Sequence, residues 1–310
     1  MFFSVNDWPR NPRKNTETII PAENHSVSFR GFRGRLSNLR ISTLIEMSEL
    51  FTQSSGDGPD LVLIHGWGLH AGVWDGFVPL LEPHFRVLRV DLPGHGSSSW
   101  SGEVSLDEMA AAVLAVAPAN AAWLGWSLGG LVAMRAALQA PARVGALLLL
   151  ASTPCFVRRP DWQCALLPAL LDSFAAELQQ DYLRTLNRFL ALQVRGSEHS
   201  GAVLRVLRTR LLEKGEPAPA ALQAGLDILR NMDLRSEVGA LACPVLVVAG
   251  DRDTLVPAAA AGATADLIPN AGSAVVAGAG HAPFIARPEV VAGMVHDFLQ
   301  MQGTAGNAHA

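Results

Sequence analysis

From about residue 60 the chain alternates short apolar runs with stretches of helical periodicity. Leu61-Val62-Leu63-Ile64 is the first run, bounded by Gly58-Pro59 before it and His65-Gly66 after it. Phe85 to Val90, Ala121 to Gly125, Val144 to Ala151, Pro244 to Gly250 and Ala274 to Val276 follow. Runs this continuously apolar predict strands buried on both faces, as in a parallel sheet. Ser105 to Ala117 and Leu128 to Gln139 predict intervening helices. The alternation predicts an α/β class protein with a mostly parallel, doubly wound sheet, over residues 47–154 and 237–302. Residues 303–310 are expected to be a flexible tail.

The rhythm stops between residues 155 and 236. Leu166, Leu167, Leu170, Leu171 and Phe174 share one helical face. Phe189, Leu190 and Leu192, then Val203, Leu204, Leu207 and Leu211, continue the pattern with no strand-like run between them. A helical insertion between two strands of a parallel sheet emerges at their carboxyl ends, where ligands bind. Residues 155–236 are therefore expected to form a helical lid.

Residues 1–46 differ from the rest. They carry Arg10, Arg13, Lys14, Arg30, Arg33, Arg35 and Arg40 and show no sustained apolar period. We read them as an extension outside the folded unit, disordered or non-native, with Met47 the natural start; a functional basic tail is the alternative.

Composition narrows the classes. With 49% hydrophobic and 17% charged residues, the chain is too apolar to be disordered. A net charge of −4 lacks the basic balance of a nucleic-acid partner. No apolar run is long enough for a membrane span, and Pro9 with nearby charges interrupts any secretory signal. Cys155, Cys164 and Cys243 cannot build a disulfide framework and show no metal-ligand spacing. The expectation is a cytoplasmic monomer with no metal and no cofactor.

Gly125-Trp126-Ser127-Leu128-Gly129 has G-x-S-x-G spacing between a predicted strand and a predicted helix. In that context the serine sits on a tight strained turn, and its neighbours two residues away must be small. A serine nucleophile needs a base. His281 follows the last predicted strand, where the chain order serine, acid, histidine places it. The acid should follow an earlier strand, and Gly250-Asp251-Arg252-Asp253 offers two; the position before Val256-Pro257 favours Asp253, with Asp251 the rival. Oxyanion donors are expected from the backbone N–H of Leu128 and, in His65-Gly66-Trp67-Gly68, of Trp67. His95, in the turn Asp91-Leu92-Pro93-Gly94-His95-Gly96, reads as structural.

These motifs resemble those of α/β-hydrolases. With Trp123-Leu124-Gly125-Trp126-Ser127-Leu128-Gly129-Gly130, Ser152-Thr153-Pro154-Cys155-Phe156, Arg188-Phe189-Leu190-Ala191-Leu192-Gln193 and His281-Ala282-Pro283-Phe284, residues 60 to 300 resemble the pimeloyl-[acyl-carrier protein] methyl ester esterases of biotin synthesis. The resemblance implies a carboxylesterase of the α/β-hydrolase fold that releases methanol from a pimeloyl methyl ester carried on acyl carrier protein. It implies substrate contacts at Trp67, Leu128, Phe189, Leu190, Ala191, Leu192, Gln193 and His281. It also implies that lid arginines dock the acidic carrier, at Arg184, Arg188 and Arg205. A fourth position falls near Gly201, where Arg195, Arg208 or Arg210 could substitute. A general short-acyl esterase, a related hydrolase or lyase, and a non-catalytic binding homologue are the alternatives.

Overall fold

The computed structural model describes residues 50–99, 105–211 and 213–307. The expected extension at 1–46 lies outside them, as do the last three residues of the expected tail. Seven strands form one sheet: β1 (Thr52–Ser55), β2 (Asp60–Ile64), β3 (Arg86–Val90), β4 (Ala121–Trp126), β5 (Val144–Leu150), β6 (Val245–Gly250) and β7 (Ala271–Val276). Their order is β1-β3-β2-β4-β5-β6-β7, parallel throughout except that β1 runs antiparallel to β3. Strands β4, β5 and β6 lie inside the sheet and bury nearly every side chain, so continuous apolar runs are what their two covered faces require.

Two edges depart from the sequence expectation. Thr52-Gln53-Ser54-Ser55 is polar, yet it pairs along β3 from Thr52 opposite Val90 to Ser55 opposite Val87. An edge strand half open to water needs no apolar signal. At the other edge β7 begins at Ala271, because its Ala-Gly-Ser start is too small and polar to read as strand.

Helices α1 (Leu106–Val116) and α2 (Leu128–Gln139) pack together beside the sheet. The start of α1 is set by a capping box: Ser105 Oγ accepts from Glu108 N at 3.2 Å, and Glu108 Oε2 accepts from Ser105 N at 2.8 Å. Between β5 and β6 come four helices, α3 (Pro168–Leu178), α4 (Tyr182–Gln193), α5 (Ser200–Leu211) and α6 (Pro219–Asn231). The chain leaves and returns along a shared neck, where Cys155 bridges Asp233 and Leu234 N donates to Pro154 O at 2.9 Å. Helices α7 (Ala259–Asp266), α8 (Pro283–Ala286) and α9 (Pro288–Asn307) complete the core. The last helix continues to Asn307, so residues 303–307, expected as tail, are helical. No described helix is long and apolar enough to cross a membrane.

Candidate active site

Strand β4 ends at Trp126 and helix α2 starts at Leu128, leaving Ser127 alone to turn the chain, with φ 55° and ψ −118°. A non-glycine residue there costs roughly 1–3 kcal/mol and needs surrounding structure to hold it. Ser127 N donates to Leu150 O at 3.0 Å, and Ser152 Oγ donates to Ser127 O at 2.8 Å. The glycines give the turn its room. A Cβ on Gly125 would stand 2.6 Å from Gly130 Cα, and one on Gly129 would stand 2.6 Å from His65 O.

His281 and Asp253 converge on this serine from two loops. His281 Nε2 lies 2.9 Å from Ser127 Oγ, and His281 Nδ1 lies 2.8 Å from Asp253 Oδ2. The other carboxylate oxygen of Asp253 accepts from the N–H groups of Leu255 and Val256, at 2.8 and 2.9 Å. With Asp253 accepting from Nδ1–H, the Nε2 lone pair faces the serine hydroxyl. Asp251 is not part of this chain of bonds; it is exposed, with Arg252 Nε 3.9 Å away. The histidine backbone is held as well: Trp126 Nε1 donates to His281 O at 2.6 Å, and His281 N donates to Gln193 O at 2.9 Å. All three side chains are buried, and Ser127 is only 3% exposed.

The loop after β2 brings Trp67 to the same place. Its indole Nε1 donates to Leu222 O at 2.8 Å, and its ring meets Phe189 edge-on with centroids 4.9 Å apart. Gly225 on α6 lies against it: a Cβ there would stand 2.5 Å from Trp67 Cδ1 and 3.4 Å from Leu128 Cδ2. Nothing in the sequence pattern singles out Gly225. Leu128 is the first residue of α2, so its N–H has no partner within the helix.

Beneath this loop lies a buried histidine pair. His65 Nδ1 is 2.8 Å from Gly66 O, and its Nε2 accepts from Leu92 N at 2.9 Å. Burial, with His95 beside it, pushes the His65 pKa down to about 3. His95 sits 5.4 Å from it, ring to ring, and its Nδ1 is 3.0 Å from Pro93 O. His95 is not joined to Ser127 or His281. No group of three or more metal-ligating side chains is placed to hold an ion among the described residues.

On α4 the residues expected to contact substrate divide. Phe189, Leu190 and Gln193 are buried and Leu192 is half-buried, whereas Ala191 faces solvent. Helical geometry turns Ala191 away from the face that carries Phe189 and Gln193. Arg184, Arg188 and Arg205 are exposed. Arg188 is already engaged, paired with Glu177 and stacked 4.8 Å over the Phe174 ring. Of the three substitutes for the Gly201 position, Arg195 and Arg208 are exposed. Arg210 is half-buried and already paired, 3.0 Å from Asp75 and 2.6 Å from Glu213.

A hydroxyl, an imidazole and a carboxylate in series on a parallel sheet define the class of nucleophilic serine hydrolases. Comparison with known proteins narrows it. The sequence model described as "Alpha/beta hydrolase family" matches residues 61–294. A relative from Nitrosomonas europaea named pimeloyl-[acyl-carrier protein] methyl ester esterase is 48% identical over 243 residues, covering 78% of this chain and 96% of that protein. One of the same name from Yersinia enterocolitica is 44% identical over 259 residues, covering 83% of this chain and all of that protein (100%). A solved hydrolase structure from Pseudomonas aeruginosa is similar at a TM-score of 0.67 and 29% identity, covering 81% of this chain and 94% of that one. The chain belongs to the alpha/beta hydrolase family, in the group formed by the pimeloyl-[acyl-carrier protein] methyl ester esterases.

Proposed function

We propose that this protein is a serine carboxylesterase that hydrolyses the methyl ester of pimeloyl-acyl carrier protein, giving methanol and the free carboxylate in biotin synthesis. The observation that carries the chemistry is the unbroken hydrogen-bond chain Ser127–His281–Asp253 in a buried site. The substrate comes from the relatives' shared name and their coverage of nearly their whole length.

Ser127 Oγ attacks the ester carbonyl as His281 Nε2 takes its proton. Asp253 holds the imidazole in the tautomer that can do so and stabilises the imidazolium that forms. The tetrahedral oxyanion rests on the N–H groups of Leu128 and Trp67, where the dipole of α2 also favours negative charge. His281 then returns the proton to methoxide, and methanol leaves. Water, activated by the same histidine, hydrolyses the acyl-enzyme. Each step uses groups of this chain and water, so no cofactor is required.

The Trp67 and Phe189 rings and the Leu128 side chain offer an apolar wall for a methylene chain, with Gln193 as the polar group at its edge. Gln193 Oε1 is buried with no hydrogen-bond partner among the described residues, which leaves it placed to accept from a ligand. The helical insertion acts as the lid, and Arg184, Arg188 and Arg205, with Arg195 or Arg208, face the acidic carrier. All triad and proposed oxyanion groups come from one chain, so catalysis needs no residue from a second copy. Its carrier-bound substrate sets the reaction in the cytoplasm.

The chemistry is tested with a fluorophosphonate probe and p-nitrophenyl butyrate. Stoichiometric labelling at Ser127 with matching loss of ester turnover supports the reading. Turnover that survives full labelling of Ser127 would overturn it.

A further inference from the structure

The turn that follows α4 is bonded to both loops that carry the histidine and the acid. Gln193 O accepts from His281 N at 2.9 Å, and Glu198 N donates to Gly278 O at 2.9 Å. Arg252, between Asp251 and Asp253, donates from Nη1 to Gly196 O at 3.2 Å and from its backbone N to Ala279 O at 2.9 Å. Thr254 Oγ1 donates to Leu192 O at 3.3 Å. The Glu198 carboxylate joins the ends: it pairs with Arg287, just past α8, and lies 3.8 Å from Arg252 Nη2. His281 is thus bracketed on both sides by residues that Glu198 holds.

The local backbone is shaped for this contact. Gly278 has φ 74°, and a Cβ on it would stand 2.7 Å from Glu198 Cδ. A Cβ on Gly280 would stand 2.6 Å from Gln193 O. His199, next to Glu198, has φ 55°, one of three non-glycine residues with positive φ among those described; Ser127 is another. Strain of this kind persists where surrounding contacts over-determine the conformation.

We propose that Glu198 is a positioning residue for His281: through Arg287, Arg252 and the Gly278 backbone it fixes the loop that presents the imidazole to Ser127. The inference rests on the hydrolase reading. It follows that α4, which carries the proposed substrate-lining residues, is tied to the base at its C-terminal end.

The test compares wild type, Glu198→Gln, Arg287→Gln and the double variant on p-nitrophenyl butyrate, with active serines titrated by a fluorophosphonate. A base displaced by a fraction of an ångström should lower kcat per titrated serine on the order of tenfold in each single variant. KM should stay within about twofold, since the acyl pocket is untouched. The double variant should be no worse than the poorer single one, because both break one clamp. Glu198→Asp, which keeps the charge, should recover part of the loss. Unchanged kcat per titrated serine in both single variants, with only the active fraction or melting temperature reduced, would overturn the positioning role and leave a structural one. A wild-type protein with no esterase activity would instead overturn the hydrolase reading, and this inference with it.

Discussion

The indole of Trp67 packs on the bare α-carbon of Gly225, so close that a Cβ there would stand 2.5 Å from Trp67 Cδ1. This contact joins an expected oxyanion loop to the helical insertion. Gly225→Val should push Trp67 from its place and lower kcat/KM for p-nitrophenyl butyrate by about tenfold or more. Gly262, where an added Cβ would meet nothing within 4 Å beyond its own stretch of helix, provides the control: Gly262→Ala should leave activity unchanged. Equal activity in Gly225→Val and wild type would show that the loop does not depend on this contact.

Ser127→Ala should reduce ester turnover by about a thousandfold or more while the protein stays folded. The backbone strain at Ser127 is unchanged by the substitution, and the lost hydroxyl makes one bond, to His281. Circular dichroism and a melting curve check the fold. Activity near wild type would remove Ser127 from the mechanism.

Asp253→Asn should cost on the order of a thousandfold in kcat, because the amide can stabilise the wrong imidazole tautomer. Asp251→Asn should change kcat by less than about twofold, its carboxylate being exposed and weakly paired. Reversal of that ranking would return the acid to Asp251.

That choice marks the boundary of what the sequence could tell. Both aspartates follow the same apolar strand, and only the turn of the loop decides which one reaches His281 Nδ1. The internal strands were legible because burial on both faces demands unbroken apolar runs. Strand β1 was not, since Thr52-Gln53-Ser54-Ser55 pairs through its backbone at an edge and its side chains carry no burial signal. Gly225 and the Arg210 ion pair were hidden for another reason: each is defined by partners remote in sequence, Trp67 and Asp75. Helical phase did carry the information that Ala191 faces away from Phe189 and Gln193, but a motif read as a continuous stretch obscures it.

The exposed arginines should affect turnover only through a protein partner. Arg205→Glu should lower kcat/KM for the carrier-bound ester by about tenfold or more while leaving p-nitrophenyl butyrate unaffected, and added salt should narrow the gap. Arg188→Glu should act in the same direction, but it also breaks the Glu177 pair and the Phe174 stack, so some loss of stability accompanies it. Identical effects on both substrates would exclude docking at these positions.

The buried histidines set an acid limit on stability. His65 is pushed down to about 3, and burial also lowers His70 and His95 from their ordinary value of 6.5. A histidine held below its ordinary value stays neutral in the folded protein over a pH range in which the unfolded chain takes up protons, so these groups lower stability as the pH drops below about 6.5. The slope is up to roughly 1.4 kcal/mol per pH unit for each histidine that remains neutral. Urea unfolding at pH 7.0 and 5.0 should show a clearly lower midpoint at pH 5.0. A midpoint unchanged between the two would mean these side chains are not buried neutral.

The proposed reaction is tested most directly by methanol release from pimeloyl-acyl carrier protein methyl ester by the purified protein, with Ser127→Ala as control and p-nitrophenyl butyrate alongside. An esterase acting through Ser127 should give efficient release from the carrier-bound ester that disappears in Ser127→Ala. Turnover of the small ester alone, with the carrier-bound ester left intact, would contradict it.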